Sequence, residues 1–237
     1  MSLKLEQRIF LRSLLWQGSW NFARFQSLGL AYAIYPLLAK LYGSDREKLA
    51  DRLRRYLDCF NTNPYMAAAI LGFLVHMESR GEEMGDYGLV LSGNLAGLYG
   101  AVGDNFFWSG LKPMVSALAA VLFFWRPGLA APLFMLVAYN LVQLGLRYKI
   151  YLVGLQRGLE VIEMIDGWQL ARIKSWMDMV TAAALAVTVF LMVDFLGLAD
   201  SADSYRYVFA GLVGVVAVLV WHRKNRVNRL CACRPPV

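Results

Sequence analysis

Reactive and ionisable side chains are scarce in this sequence. Among 237 residues there are two histidines, three cysteines and 17% charged residues, where a soluble domain carries roughly 25% charge. The cysteines Cys59, Cys231 and Cys233 make no spaced disulfide framework. The tail Cys231-Ala232-Cys233 leaves open a soft metal, a lipid, or inert reduced thiols. No nucleophile–base pair, metal cluster or glycine-rich phosphate loop stands out, so no cofactor and no metal is expected and the chain is not read as an enzyme by itself.

Apolar residues are abundant instead. The chain is 58% hydrophobic with a mean hydropathy of +0.45. That balance predicts an all-α integral membrane protein. The net charge of +7 would suggest nucleic acid in a soluble protein. In a membrane protein the excess of Lys and Arg in cytoplasmic loops accounts for it. The start, Met1 to Arg8, is too charged, and its apolar continuation too long, for a cleaved signal peptide.

Residues 1–43 read as an N-terminal amphipathic arm. Over 9–42 the pattern predicts one long helix with Ser13, Gln17, Asn21 and Arg24 as a polar stripe and Pro36 as a bend. Such a helix lies in the interface or packs on a partner subunit. Residues 44–58 predict a cytoplasmic helix, with Ser44 and Glu47 as a capping box, Leu49, Leu53 and Leu57 as its apolar edge, and the charges as a solvated face. Residues 64–77 form an apolar run too short to span. It follows the turn signal Asn61-Thr62-Asn63-Pro64 and ends at Glu78. A re-entrant or broken helix fits, and such backbone must be buried in protein or line a cavity.

About four full spans are expected, at 106–125, 129–146, 179–198 and 205–221. The region 44–128 is then a re-entrant core with the first span. Residues 129–230 form a transmembrane bundle with a cytoplasmic helical connection at 147–178, and 231–237 form a tail. The basic segments 147–178 and 222–229 belong inside, and the acidic loop 199–204 outside. Glu160, Glu163 and Asp166 read as a solvated helical face.

The stretch 97–113 carries chemistry in an apolar context. Asp104, Trp108 and Lys112 recur at i, i+4 and i+8, on one helix face. An acceptor, a donor and an aromatic plate are what a sugar requires, and an ionisable group at membrane depth suggests a polar pathway. The alternative is Asp104 as a helix cap and Lys112 as a charge reaching the interface. Gly97, Gly100 and Gly103 permit close helix approach or a break, packing being the favoured use.

Taken together, four stretches resemble the IID membrane subunit of the mannose-family sugar phosphotransferase system. Residues 15–42 look like its opening block, with the Gln, Trp-Asn, Gly, Ala-Tyr and Pro in place. Residues 56–65 look like its Phe-Asn-Thr-His-Pro motif. Residues 70–78 look like the following helix that ends in Glu. Gly103-Asp104, Phe107-Trp108 and Lys112-Pro113 look like its Gly-Asp, Phe-Trp and basic-Pro signature. The resemblance extends over roughly residues 8–175.

That resemblance implies a hetero-oligomer with a IIC subunit in the bacterial inner membrane, C-terminus cytoplasmic, binding a hexose or amino sugar. Cytoplasmic IIA and IIB proteins would pass the phosphoryl group, and the IID subunit would not be phosphorylated. In keeping with this, His76 sits in an apolar run and His222 in a basic tail. Under this reading 61–78 and 97–113 are broken helices lining a polar cavity at the subunit interface. Asn61, Asn63, Glu78, Asp104, Asn105, Trp108 and Lys112 form its lining. Pro64, Pro113 and the glycines Gly97, Gly100 and Gly103 shape the backbone. Competing roles are a cap for Asn61, an interfacial anchor for Trp108 and a topology charge for Lys112. Asn63 replaces the family's histidine and cannot titrate, so substrate choice is expected to differ. A basic tail stands where the family has a further span. A truncated relative acting as sensor, regulator or scaffold for IIC is the alternative.

Overall fold

The computed structural model describes residues 3–195 and Gly211. Nine α-helices occur among the described residues: α1 Leu3–Ser13, α2 Ser27–Tyr42, α3 Arg46–Arg55, α4 Ala67–Glu78, α5 Glu82–Gly103, α6 Lys112–Trp125, α7 Ala130–Arg157, α8 Glu160–Gly167 and α9 Leu170–Phe195. A 3₁₀ turn spans Trp16–Ser19, and a π-helical segment, Asp104–Leu111, joins α5 to α6. The only extended pairings among the described residues are the isolated bridges Asn21–Phe25 and Phe25–Phe60. The all-α expectation holds.

Among the described residues, three helical runs are long and apolar enough to cross a membrane: Glu82–Trp125, Ala130–Arg157 and Leu170–Phe195. Their exposed Val90, Leu133, Leu136, Leu141 and Leu185 suit a lipid solvent, where apolar surface needs no cover. The expected first span at 106–125 starts earlier, at Glu82, because 88–105 continues helically into it. Apart from Gly211, the expected fourth span at 205–221, the loop 199–204 and the tail cysteines lie outside the described residues.

The long helix expected over 9–42 is interrupted. Asn21 Oδ1 accepts from the Ala23 and Arg24 amides at 3.1 and 2.9 Å, a local turn that competes with helix. Phe25 adopts φ 52°. The supposed polar stripe is therefore partly a loop. Gln26 then ties that loop inward. It is buried, its Nε2 donates to the Thr62 carbonyl at 2.7 Å, and its Oε1 accepts from Trp16 Nε1 at 3.0 Å. The α3 cap also differs from expectation: Asp45, not Ser44, accepts from the Glu47 and Lys48 amides, both at 3.0 Å. The aspartate fits an N-cap equally well.

The chain divides into two compact units, residues 1–110 with 139–174, and residues 111–138 with 175–237. In the first, α4 is the centre. All of its residues except His76 are buried, so this short apolar helix is enclosed by protein. Glycines let α7 approach it: a Cβ on Gly154 would come within 2.7 Å of the Ala69 carbonyl oxygen and 2.9 Å of the Phe73 nitrogen. Such close contact suits small residues at membrane helix crossings. In the second unit Phe124 packs edge-on against Phe195 at 5.7 Å, and Ser116 Oγ approaches Met135 Sδ.

Candidate functional site

Two sequence motifs meet in the first unit. The turn before α4 places Asn63 in the interior. Asn63 Oδ1 accepts from the Tyr65 amide at 3.0 Å and the Met66 amide at 3.4 Å, which sets the entry to α4. Its Nδ2 donates to Asp104 Oδ1 at 2.8 Å. Gly103 allows this approach: a Cβ there would collide with Asn63 Cβ and come within 2.7 Å of Met66 Cγ. Gly100 makes ordinary contact with Thr62, and Gly97 faces open space. The glycine run thus serves packing at one end only.

The helix is not broken at Asp104–Leu111 but widened into a π segment. Pro113 gives a physical reason. It has no N–H to donate, and in α geometry its ring would meet the carbonyl four residues back. Widened turns relieve such conflicts and recur at functional sites. Around this segment Phe106, Phe107 and Gly110 turn inward, while Asp104, Asn105, Trp108 and Ser109 are exposed. Trp108 is 47% exposed. Asn61 is exposed and Pro64 is buried at the neighbouring turn. Lys112 is exposed and Pro113 half-buried where the second unit begins.

Glu78 lies elsewhere in the network. It is 1% exposed. Its carboxylate accepts from Tyr56 Oη at 2.6 Å, Tyr42 Oη at 3.2 Å and Arg52 Nη2 at 2.5 Å. Arg52 Nη1 bridges onward to Asp86 Oδ1 at 2.5 Å, which Arg55 also holds at 2.7 Å. The expectation that all charges of 44–58 are solvated is corrected here, since Arg52 is 2% exposed. Burial opposes the Arg52 charge, but hydrogen bonds and attraction from Glu78, with Asp86, outweigh it and raise its pKa. Burial and then the Glu78 charge push Tyr42 up to about 12 and Tyr56 well above the ordinary phenol range. Donors of the protein itself occupy Glu78, and its work is to hold α2, α3 and α4 together.

Over residues 2–199 the sequence matches the family described as PTS system mannose/fructose/sorbose family IID component. The chain belongs to that family. Its relatives include the mannose-specific EIID component of Escherichia coli K12, 36% identical over 165 residues, or 67% of this chain and 57% of that protein. The fructose permease IID component of Bacillus subtilis is 35% identical over 166 residues, covering 67% and 58%. A solved structure of the mannose transporter ManYZ with microcin E492 superposes with a TM-score of 0.63 at 30% identity, covering 85% of this chain and 72% of the other. The chain thus spans a little under three fifths of the length of these curated relatives.

This IID chain also carries polar residues that sequence reasoning passed over. Tyr65, next to the turn, stacks on Phe107 at 4.8 Å and accepts from Tyr139 Oη at 3.1 Å. Arg147 is buried and its Nη2 donates to the Ser13 carbonyl. Tyr139, Gln143 and Arg147 recur every four residues on α7, a spacing that could have flagged them as one inward face. Arg52 and Tyr56 share the same i, i+4 spacing, but the surrounding charges hid it. His76 is half-buried and its Nδ1 donates to the Leu155 carbonyl at 2.9 Å, as a satisfied core histidine does.

Proposed function

We propose that this chain is the IID half of a mannose-family sugar permease, working with a IIC subunit in the bacterial inner membrane with its C-terminus in the cytoplasm. Cytoplasmic IIA and IIB proteins phosphorylate the sugar, and this chain contributes binding and translocation. The sugar is a hexose or amino sugar. The named substrates of the relatives, mannose, fructose and sorbose, support a hydroxyl-rich solute of that size.

One observation carries the reading. Asn63 anchors the Asp104 carboxylate on a widened helix turn that also presents Asn105 and Trp108 outward. Asp104 accepts from sugar hydroxyls, Asn105 donates or accepts, and Trp108 covers the apolar ring face. Asn61 stands at the rim. Glu78, held by Tyr42, Arg52 and Tyr56, fixes the far end of the helix that follows the Asn63 turn. The IIC partner completes the pocket.

The test is co-purification with the IIC subunit, then sugar binding by calorimetry for the wild-type pair and for Asp104→Ala. Lost binding with the complex intact supports the site. Loss of the complex itself would mean that Asp104 orders the partner and that this chain is a scaffold.

A further inference from the structure

A groove of about 570 Å³ lies between α1 and α2, away from the Asn63–Asp104 pair. Lys4, Arg8 and Arg12 line it at i, i+4 and i+8, one face of α1. No carboxylate lines it, and none of the three cations makes an ion pair among the described residues. Arg12 is held in place by stacking 3.7 Å over the Tyr32 ring, and its Nε is buried with no hydrogen-bond partner. At the mouth, Leu11 and Leu15 are 61% and 62% exposed.

The groove sits at a definable depth. α1 is fastened across one stretch of α7: Arg147 donates to the Ser13 carbonyl, Tyr151 Oη donates to the Glu6 carbonyl at 3.0 Å, and Phe10 packs edge-on against Tyr148 at 4.9 Å. Those α7 residues lie roughly 30 Å along the helix from its start at Ala130, by helix rise. That is about one hydrocarbon thickness. With Ala130 taken as one edge of the hydrocarbon that α7 crosses, α1 would lie at the headgroup level of the opposite edge.

We infer that this groove binds the phosphodiester headgroup of an anionic phospholipid. Lys4, Arg8 and Arg12 would engage the phosphate oxygens, the guanidinium forks matching that geometry. The acyl chains would leave along Leu11 and Leu15. A free anion has no use for two exposed leucines. A zwitterionic lipid brings a cation that the three unpaired positive charges would repel. A bound lipid would fix the N-terminal arm against α2, and thus the Gln26 tie to Thr62.

The test is native mass spectrometry of the detergent-solubilised full chain with its membrane partner. It is titrated with phosphatidylglycerol, with phosphatidylcholine of the same acyl chains, and with glycerol phosphate alone. The expected result is phosphatidylglycerol bound roughly tenfold or more tighter than phosphatidylcholine, with glycerol phosphate weaker still. The double variant R8Q/R12Q should bring phosphatidylglycerol down to the phosphatidylcholine level. R46Q/R54Q, which removes the same charge from exposed positions on α3, should change nothing. If R8Q/R12Q does not fold, the exposed Arg8→Gln alone and the wild-type lipid preference decide the matter. Equal binding of the two lipids overturns the inference, as does equal loss in both double variants. Glycerol phosphate binding as tightly as the lipid overturns it too.

Discussion

Asn63 donates to Asp104 at 2.8 Å, and in doing so joins the turn that starts α4 to the widened turn between α5 and α6. The same side chain accepts from the Tyr65 and Met66 amides. Removing it should therefore cost both a turn and a tie. Asn63→Ala is expected to lower stability by about 1–3 kcal/mol. In a double-mutant cycle with Asp104→Ala, thermal unfolding in detergent should show coupling of about 0.5 kcal/mol or more. Strict additivity would mean that the pair contributes nothing.

Gly103 and Gly97 sit on one helix but meet different surroundings. A methyl at 103 runs into Asn63 and Met66, whereas one at 97 meets nothing within 4 Å. Gly103→Ala should cost about 1–3 kcal/mol as an overpacking change and displace Asn63 from Asp104. Gly97→Ala should be neutral or stabilising by up to about 1 kcal/mol, since alanine is the better helix former. Paired melting curves check the contrast.

Arg52 and Arg55 both hold Asp86, yet only Arg52 is buried. Its loss would strand the Glu78 carboxylate inside the protein. Arg52→Ala should destabilise by about 3–5 kcal/mol, and Arg55→Ala by less than about 1 kcal/mol. Denaturation of the two variants side by side measures this. Equal effects would show that the buried pair has no special weight.

The two phenols on Glu78 set an alkaline limit. Tyr42 is raised to about 12 and Tyr56 well above the ordinary phenol range, by burial first and then by the Glu78 charge. Below about pH 10, folded and unfolded chains both keep these protons, and stability is unaffected by them. Above it the unfolded chain loses them first and so binds fewer protons. Stability then falls as pH rises, by up to about 1.4 kcal/mol per pH unit for each tyrosine. Tyr56→Phe should flatten that fall between about pH 10 and 12. An unchanged slope would mean that Tyr56 titrates alike in both states.

Much of this arrangement was legible from the residues. Length and hydropathy suffice to predict helices that cross lipid, because backbone in a bilayer has few other solutions. The turn at Asn61–Pro64 and the signature at 103–113 also stood out as places of unusual chemistry. What periodicity could not reveal is how side chains compete with the backbone. Asn21 looks like a member of a helical polar stripe, but its side chain satisfies the loop amides of Ala23 and Arg24, and Gln26 ties that loop to Thr62. Glu78 looks like a solute ligand at the end of an apolar run. Its partners Tyr42, Arg52 and Tyr56 come from 22 to 36 positions away, and no local pattern connects them. The widened turn was invisible for a similar reason. It depends on Pro113 acting backward on carbonyls that the sequence shows only as ordinary helix.

Trp108 separates a sugar plate from a membrane anchor. It is half exposed and makes no ring pair among the described residues, so little of the fold rests on it. If it covers a sugar ring, Trp108→Ala should weaken sugar binding by the loss of one aromatic face, about 1–2 kcal/mol or roughly 5- to 30-fold in Kd. Trp108→Phe should retain most of the affinity, since a smaller ring still presents an apolar plate. Neither variant should move the melting temperature of the complex by more than a few degrees. An interfacial anchor behaves the other way round: its removal lowers the melting temperature in lipid and leaves Kd alone. Measuring both quantities on the same preparations distinguishes the roles, and an unchanged Kd in Trp108→Ala would remove this residue from the sugar site.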